Sequence, residues 1–234
     1  MKKLAVFTEG QTEQLFVQSL LRSVSNTSNI ALRLSRMSGG RRYTRIEMQL
    51  SSDPTNDETT HYIQVVDCGT DGRVISDVNE RYEGLHSAGF DTIIAVRDVR
   101  PDFSYADIRK LRETMESALR HDQIVPVLVL ATMEVEAWFL AELSHFAKVD
   151  TNITPARVLI DLGIDLANAP IEQFPKPADN LIAIYNLEGQ SYDKSKEAVE
   201  RTLRCLDYNE LNNGWLARTP SLAPLVKECR RFLT

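Results

Sequence analysis

Short apolar runs alternate with amphipathic segments through the first two thirds of the chain. Residues 3–8 form the first apolar run, which closes at Glu9-Gly10, and apolar positions between residues 15 and 24 then recur at helical spacing. Further apolar runs lie at 61–66, 92–96 and 124–130, separated by segments of helical character at 71–86, 105–120 and 133–142. Wholly apolar strands that alternate with helices predict an α/β fold with a mostly parallel sheet flanked by helices.

Two other regions depart from this alternation. Residues 30–37 alternate only in part and end at Gly39-Gly40, which predicts a half-exposed or edge strand followed by a flexible loop. Beyond residue 147, Pro155, Pro170, Pro175 and Pro177 break the chain into short pieces, and residues 195–206 and 222–233 have helical patterns. We therefore predict an α/β domain at residues 1–147 and a helical C-terminal appendage, packed on it, at 148–234.

No segment of the sequence has the character of a membrane anchor. The opening apolar run is too short for a signal sequence, and no stretch approaches the roughly 20 apolar residues of a membrane span. A cytoplasmic protein without a membrane partner is expected. The three cysteines are widely spaced and lack a C-x-x-C pair, so the sequence indicates neither a disulfide framework nor a zinc site.

The net charge of −6 is distributed unevenly along the chain. Residues 1–50 carry a net charge of +5 and residues 51–150 carry −10, which argues against a general polyanion binder but leaves room for a local basic patch. Arg33, Arg36, Arg41, Arg42 and Arg45 surround the glycine pair, with Tyr43 among them. These arginines could neutralise nucleic-acid phosphates while Tyr43 stacks on a base, or they could protect a strand edge from aggregation.

Acidic residues follow the predicted strands at or just after their carboxyl ends. They are Glu9, Asp67, Asp98 and the Glu134/Glu136 pair. Ligands of open α/β sheets bind at that edge, and Mg²⁺ or Mn²⁺ prefers oxygen ligands, so these carboxylates are candidates for a metal site. Helix capping is the alternative role for each of them, because Asp commonly caps a helix that follows a strand.

Two segments carry a resemblance to a known family. The segments are VFTEGQTEQ at residues 6–14 and ATMEVEAWFLA at residues 131–141. They resemble the Toprim fold, a Rossmann-like fold, in particular small bacterial Toprim-like families of unknown function related to the overcoming-lysogenization-defect nucleases. The resemblance covers residues 1–145. It implies a Mg²⁺- or Mn²⁺-dependent phosphodiesterase or nuclease acting on DNA or RNA in phage defence, with an ATPase or another defence-system protein as partner.

The resemblance also implies roles for individual residues. Glu9 and Asp98 would be the catalytic residues and metal ligands, with Asp102, Asp67 and Glu134 as further metal ligands and with Glu13 and Glu136 supporting them. Arg100 stands where the Asp-x-Asp motif of the family has its second acid. It would bind a phosphate, together with Arg41, Arg42 and Arg45.

The arginine at this motif position leaves other functions open. The chain could be a non-catalytic module that binds nucleic acid or protein through a degenerate Toprim site. It could also be a hydrolase or transferase that acts on small phosphorylated molecules with the same acidic residues. Its oligomeric state and biological trigger are not specified by the sequence.

Overall fold

The computed structural model describes residues 1–25, 29–40 and 43–234 and, for residue 71, the backbone alone. These residues form a six-stranded, mostly parallel sheet and ten α-helices, which confirms the predicted α/β class. The chain divides into two compact units. The first unit comprises residues 1–97, 109–130 and 224–234, and the second comprises residues 98–108 and 131–223.

The strand order of the sheet is β3-β2-β4-β1-β5-β6. The strands are β1 (Lys2–Thr8), β2 (Ile30–Gly40), β3 (Tyr43–Ser52), β4 (His61–Asp67), β5 (Thr92–Asp98) and β6 (Val127–Ala131). β1 pairs in parallel with both β4 and β5, and Thr8 lies opposite Asp67 on one side and Val96 on the other. The carboxyl ends of these three neighbouring strands therefore lie at one edge of the sheet.

The central strands lie where the apolar runs predicted them. Most residues of β1, β4 and β5 are buried, because strands in the middle of a covered parallel sheet are shielded from water on both faces. β6 begins at Val127, three residues later than predicted, directly after Pro126. Since proline has no N–H to donate to a neighbouring strand, its position before the strand is the expected one.

The hairpin of β2 and β3 differs from the prediction. β2 is an interior strand, paired in parallel with β4 and antiparallel with β3, and β3 is the edge strand. The sequence analysis did not predict β3, although Ile46, Met48 and Leu50 alternate with polar residues as in a strand; all three side chains are more than half exposed.

Four helices complete the architecture around this sheet. They are α1 (Gln11–Val24), α2 (Val74–Ser87), α3 (Ile108–Ala118) and α10 (Ala223–Leu233). α1 packs against β1 and β4, and α2 packs against β1. Nearly all of α10 belongs to the first unit, where Phe232 packs edge-on against His61. The two units thus divide the chain differently from the predicted division at residue 147, since the C-terminal helix is part of the first.

The second unit is built from short helices. They are α4 (Glu136–Ala141), α5 (Ser144–Val149), α6 (Pro155–Leu162), α7 (Pro177–Asn186), α8 (Lys196–Cys205) and α9 (Trp215–Arg218). Trp138 and Phe139 of α4 are fully buried. The indole of Trp215 donates to the Trp138 carbonyl at 2.8 Å, and the indole of Trp138 donates to Ser221 Oγ at 2.8 Å.

Two further findings concern the chain as a whole. None of the helices in the described residues is both long and apolar enough to cross a membrane. Cys68 and Cys229 are buried free thiols, as expected, and Cys205 is a half-buried one.

Candidate functional site

A cluster of charged side chains lies within the second unit. It contains three carboxylates, those of Asp98, Glu134 and Glu136, and two cations, those of Arg100 and Lys194. We call these five residues, together with Tyr192, the acid–lysine cluster. Asp98 ends β5, Glu134 and Glu136 stand at the start of α4, and Lys194 precedes α8. The cluster therefore joins three parts of the sequence that are up to 96 residues apart.

Glu136 is the most deeply buried member of the cluster, with no exposed surface. Its Oε1 accepts a hydrogen bond from the Tyr192 hydroxyl at 3.0 Å and lies 3.0 Å from the Lys194 Nζ. Its Oε2 is buried and has no hydrogen-bond donor in the part of the chain that the structure describes. Because an unsatisfied buried carboxylate oxygen is costly, this half-satisfied side chain marks the cluster as a candidate site.

Lys194 carries the positive charge next to Glu136. Burial alone would lower the pKa of the ammonium, but the carboxylates of Glu136, Glu134 and Asp98 outweigh it and raise the pKa above its ordinary value. The ammonium therefore stays charged at neutral pH. Its side chain is 45% exposed, so a ligand in solvent can reach it.

One residue of the cluster and one residue next to it have unusual backbone conformations. Lys194 has φ +58° and Met133, which directly precedes Glu134, has φ +66°. Among the described residues, these are the only non-glycine residues with positive φ. Such conformations cost about 1–3 kcal/mol each and tend to occur at functional sites.

Asp98 and Glu134 also hold the backbone of the second unit in place. Asp98 Oδ1 accepts a hydrogen bond from the Val135 amide at 3.0 Å, at the beginning of α4. Glu134 Oε2 accepts one from the Ala178 amide at 2.9 Å, in the first turn of α7. Both carboxylates therefore satisfy amides at helix starts, which is the capping role that the sequence left open.

Arg100, which the sequence resemblance aligned with the second acid of the Toprim motif, is bound within its own unit. Its Nη1 donates to the Pro175 carbonyl at 2.5 Å, and its Nε is 4.0 Å from Glu134 Oε1. The neighbouring Asp102 is exposed and has a partner. Arg100 is thus oriented by a carbonyl and a carboxylate, and it brings a second cation to the cluster.

The first unit holds the other predicted acids. Glu9 follows Thr8, whose pairing partner in β4 is Asp67, so the backbones of both acids lie at the same edge. Burial raises the pKa of Asp67, whose Oδ1 accepts a hydrogen bond from the Gly69 amide at 2.7 Å and whose Oδ2 is 3.3 Å from Arg36. Glu13 Oε2 accepts from the Gly10 amide at 2.9 Å and so caps α1.

The predicted arginine patch is largely engaged in ion pairs. Arg45 forms a two-pronged pair with the buried Asp77 and also donates to the Cys68 carbonyl. Arg33 is 3.3 Å from Glu47. Arg41 and Arg42 lie outside the described residues. Tyr43 at the start of β3 is 79% exposed, so its ring is accessible for stacking.

The described side chains do not fit a resident metal ion. Among them, no group of three or more His, Cys, Asp or Glu residues has the arrangement to hold one. In the acid–lysine cluster, the Lys194 ammonium already lies 3.0 Å from Glu136, where a cation would be attracted. Oxygen ligands to Mg²⁺ would be needed at about 2.0–2.1 Å.

Sequence reasoning missed Tyr192 and Lys194. Both belong to a loop that follows α7, in the segment GQSYDKSK, which has no apolar periodicity and no strand end to point to a site. The signal that identifies them is tertiary, because both contact Glu136 from more than 50 residues away.

Comparison with known proteins gives a family but no described relative. No curated protein and no solved structure matches the chain. A family model described as a domain of unknown function, DUF4276, matches residues 8–209, which include most of the first predicted motif, the whole of the second and the whole acid–lysine cluster. The chain therefore belongs to the DUF4276 family.

Proposed function

We propose that the protein cleaves phosphodiester bonds of nucleic acid at the acid–lysine cluster, as a nuclease or phosphodiesterase of Toprim type. The observation that carries this proposal is the contact between the wholly buried Glu136 and the Lys194 ammonium. Lys194 is accessible to solvent, and the carboxylates of Glu134 and Asp98 also act on its charge. A fixed cation next to acids provides the charge and the proton acceptors that phosphodiester hydrolysis needs.

Lys194 and Arg100 have the chemistry to bind the scissile phosphate. Lys194 presents a compact ammonium to solvent, and Arg100 presents a guanidinium whose orientation is set by Pro175 and Glu134. Glu136 positions Lys194 by binding its ammonium, and the Tyr192 hydroxyl in turn donates a hydrogen bond to Glu136. In this proposal Lys194 touches the substrate, and Glu136 acts through Lys194.

The hydrolytic step follows from these positions. The oxygen of a water molecule forms the new bond to phosphorus while Asp98, which the Toprim resemblance assigns to catalysis, accepts the proton of the water. The bond between phosphorus and the leaving ester oxygen breaks, and Lys194 donates a proton to that oxygen. Lys194 carries the proton to be donated at neutral pH, because the neighbouring carboxylates raise the pKa of its ammonium.

Other elements of the proposal come from the sequence resemblance. Glu9 remains a predicted catalytic residue, and a requirement for Mg²⁺ or Mn²⁺ remains a prediction that the described side chains do not support. A cytoplasmic role in phage defence, with an ATPase or another defence-system protein as partner, is likewise part of the proposal.

A cleavage assay tests the proposal. Single- and double-stranded DNA and RNA are incubated with the protein in the presence of Mg²⁺, Mn²⁺ or a chelator. Lys194→Met and Asp98→Asn should each lower the cleavage rate by about 10²-fold or more, because each removes one acid–base group. Glu9→Gln tests the residue that the resemblance assigns.

Exposed residues of the second unit provide matched controls. Lys196→Met and Asp179→Asn change the same residue types at exposed positions that pair with Glu200 and Lys176. Both should cleave at the wild-type rate. Cleavage that survives Lys194→Met and Asp98→Asn would place the activity elsewhere or in a contaminant.

A non-catalytic interaction module is the second candidate. It is favoured by Arg100, which replaces an acid of the Toprim motif and bonds to the Pro175 carbonyl. This candidate predicts nucleic-acid binding that weakens with salt and no cleavage with any metal. Nucleic-acid binding without cleavage would therefore favour the interaction module over the nuclease.

A further inference from the structure

Lys194 is the cation that lies directly beside the buried Glu136 in the acid–lysine cluster. Its Nζ is 3.0 Å from Glu136 Oε1, and its charge is stabilised by Glu134 and Asp98 as well. The residue holds a left-handed backbone conformation, φ +58°, that lysine adopts only when its surroundings compensate for the strain.

The charge of the cluster is close to balanced with the lysine in place. Three carboxylates face the two cations of Lys194 and Arg100, so the formal charge is one negative unit. Glu136 remains under-compensated even so, because its buried Oε2 has no donor. The cluster is therefore acidic enough to hold a cation, and the protein supplies one from its own chain.

We infer that Lys194 is the resident cation of the cluster and takes the place of a divalent metal ion beside Glu136. Removing the ammonium would leave a wholly buried carboxylate beside two others, with only Arg100 opposite. A buried carboxylate without a cation must bind a proton or another cation. Oxygen ligands of this kind select hard divalent ions such as Mn²⁺ and Mg²⁺.

The inference goes beyond the proposed cleavage, because it concerns which cation the cluster holds. For cleavage at this cluster, it implies that Lys194 supplies the positive charge that a metal ion would otherwise provide.

Titration with Mn²⁺ alone, followed by electron paramagnetic resonance of free Mn²⁺, tests the inference. Lys194→Met should bind one Mn²⁺ with a dissociation constant at least about tenfold lower than that of the wild type, since a competing charge is removed. Lys194→Arg, which keeps the charge, and Lys196→Met, which removes a nearby exposed one, should behave as wild type. Glu136→Gln combined with Lys194→Met should abolish the gained binding.

Two results would overturn the inference. One is a Lys194→Met protein that is folded, as judged by circular dichroism, and binds Mn²⁺ no better than wild type. The other is wild-type protein that already binds Mn²⁺ as tightly as Lys194→Met and loses it with Glu136→Gln. Lys194→Gln replaces Lys194→Met where the latter does not fold. Since the titration contains no nucleic acid, its outcome is independent of the cleavage assay.

Discussion

Two buried carboxylates, one in each unit, show how the same chemical group serves different ends. Asp77 and Glu136 both have no exposed surface. Both oxygens of Asp77 accept from Arg45, with the Nε–Oδ1 distance at 2.6 Å, and this hydrogen bonding raises the pKa of the guanidinium. Only one oxygen of Glu136 has partners, and its other oxygen has no donor.

The two carboxylates differ in how exposed the cation is that each of them binds. The Asp77 pair is closed: it fastens β3, through Arg45, to α2 and leaves the arginine little exposed. The Glu136 arrangement is open: its cation, Lys194, is nearly half exposed and available to a ligand. A fully satisfied buried pair stabilises a hairpin, whereas a half-satisfied one is a reason to expect function.

The largest expected effect is on the closed pair. Asp77→Ala should lower the free energy of unfolding by about 3–5 kcal/mol, because it leaves a little-exposed guanidinium without its carboxylate. Urea unfolding followed by circular dichroism measures this loss. The double variant Arg45→Met/Asp77→Leu should recover much of it. A loss below about 1 kcal/mol in Asp77→Ala would show that the pair is not what fastens the hairpin.

His145, also in the second unit, resembles Glu136 in that only one of its two polar atoms has a hydrogen-bond partner among the described residues. His145 is fully buried, its Nε2 has no partner, and burial lowers its pKa to about 4. The unfolded chain therefore binds a proton more readily than the folded one between about pH 4 and pH 6.5. Stability that is present above pH 6.5 is lost as the pH falls towards 4.

His145→Leu measures this contribution. Between pH 7 and pH 5, the wild type should lose about 2 kcal/mol more unfolding free energy than the variant. The control is His121→Leu, which makes the same replacement at an exposed position. Equal slopes in the wild type and His145→Leu would mean that the buried imidazole does not control acid stability.

Replacing Tyr192 tests the hydrogen bond that its hydroxyl donates to Glu136 Oε1. Tyr192→Phe removes the hydroxyl that donates to Oε1 and should cost about 1.5–3 kcal/mol, because the acceptor is charged. Tyr185→Phe is the matched control: its hydroxyl bonds to the neutral Thr202 at 3.1 Å, and its loss should cost about 1 kcal/mol. Urea unfolding of both proteins gives the comparison. A Tyr192→Phe loss no larger than that of Tyr185→Phe would argue that Glu136 is not held as an anion.

The smallest effect on stability is expected for Glu136→Gln. Glutamine keeps an oxygen for Tyr192 and removes a carboxylate whose second oxygen has no donor. The free energy of unfolding should change by no more than about 1 kcal/mol. Asp77→Asn, measured alongside, should be more destabilising, since Asp77 has donors on both of its oxygens.

The core of the sheet could be predicted from the sequence because its strands are continuous apolar runs. β1, β4 and β5 begin and end within about two residues of the predicted bounds. β3 was missed although its apolar residues alternate with polar ones, and its place at the edge of the sheet depends on pairing with β2 and on the Arg45–Asp77 contact, which the sequence does not show.

The candidate site could be predicted in part, for a similar physical reason. Asp98, Glu134 and Glu136 follow strand ends, and that local signal identified them. Lys194 and Tyr192 approach Glu136 from a loop with no regular pattern, so only the folded chain reveals them. Arg45, predicted to bind phosphate, has its buried partner Asp77 in another element, 32 residues away.

The most direct test of this account is to measure cleavage and stability on one preparation of Glu136→Gln. The account predicts that nucleic-acid cleavage falls by about 10²-fold, because Lys194 loses the anion that positions its charge, while unfolding free energy stays within about 1 kcal/mol of wild type. The alkaline limb of the pH–rate profile should also move to lower pH, since burial then lowers the lysine pKa unopposed by Glu136. Full activity with an unchanged profile would contradict the claim that the half-satisfied carboxylate marks the functional site.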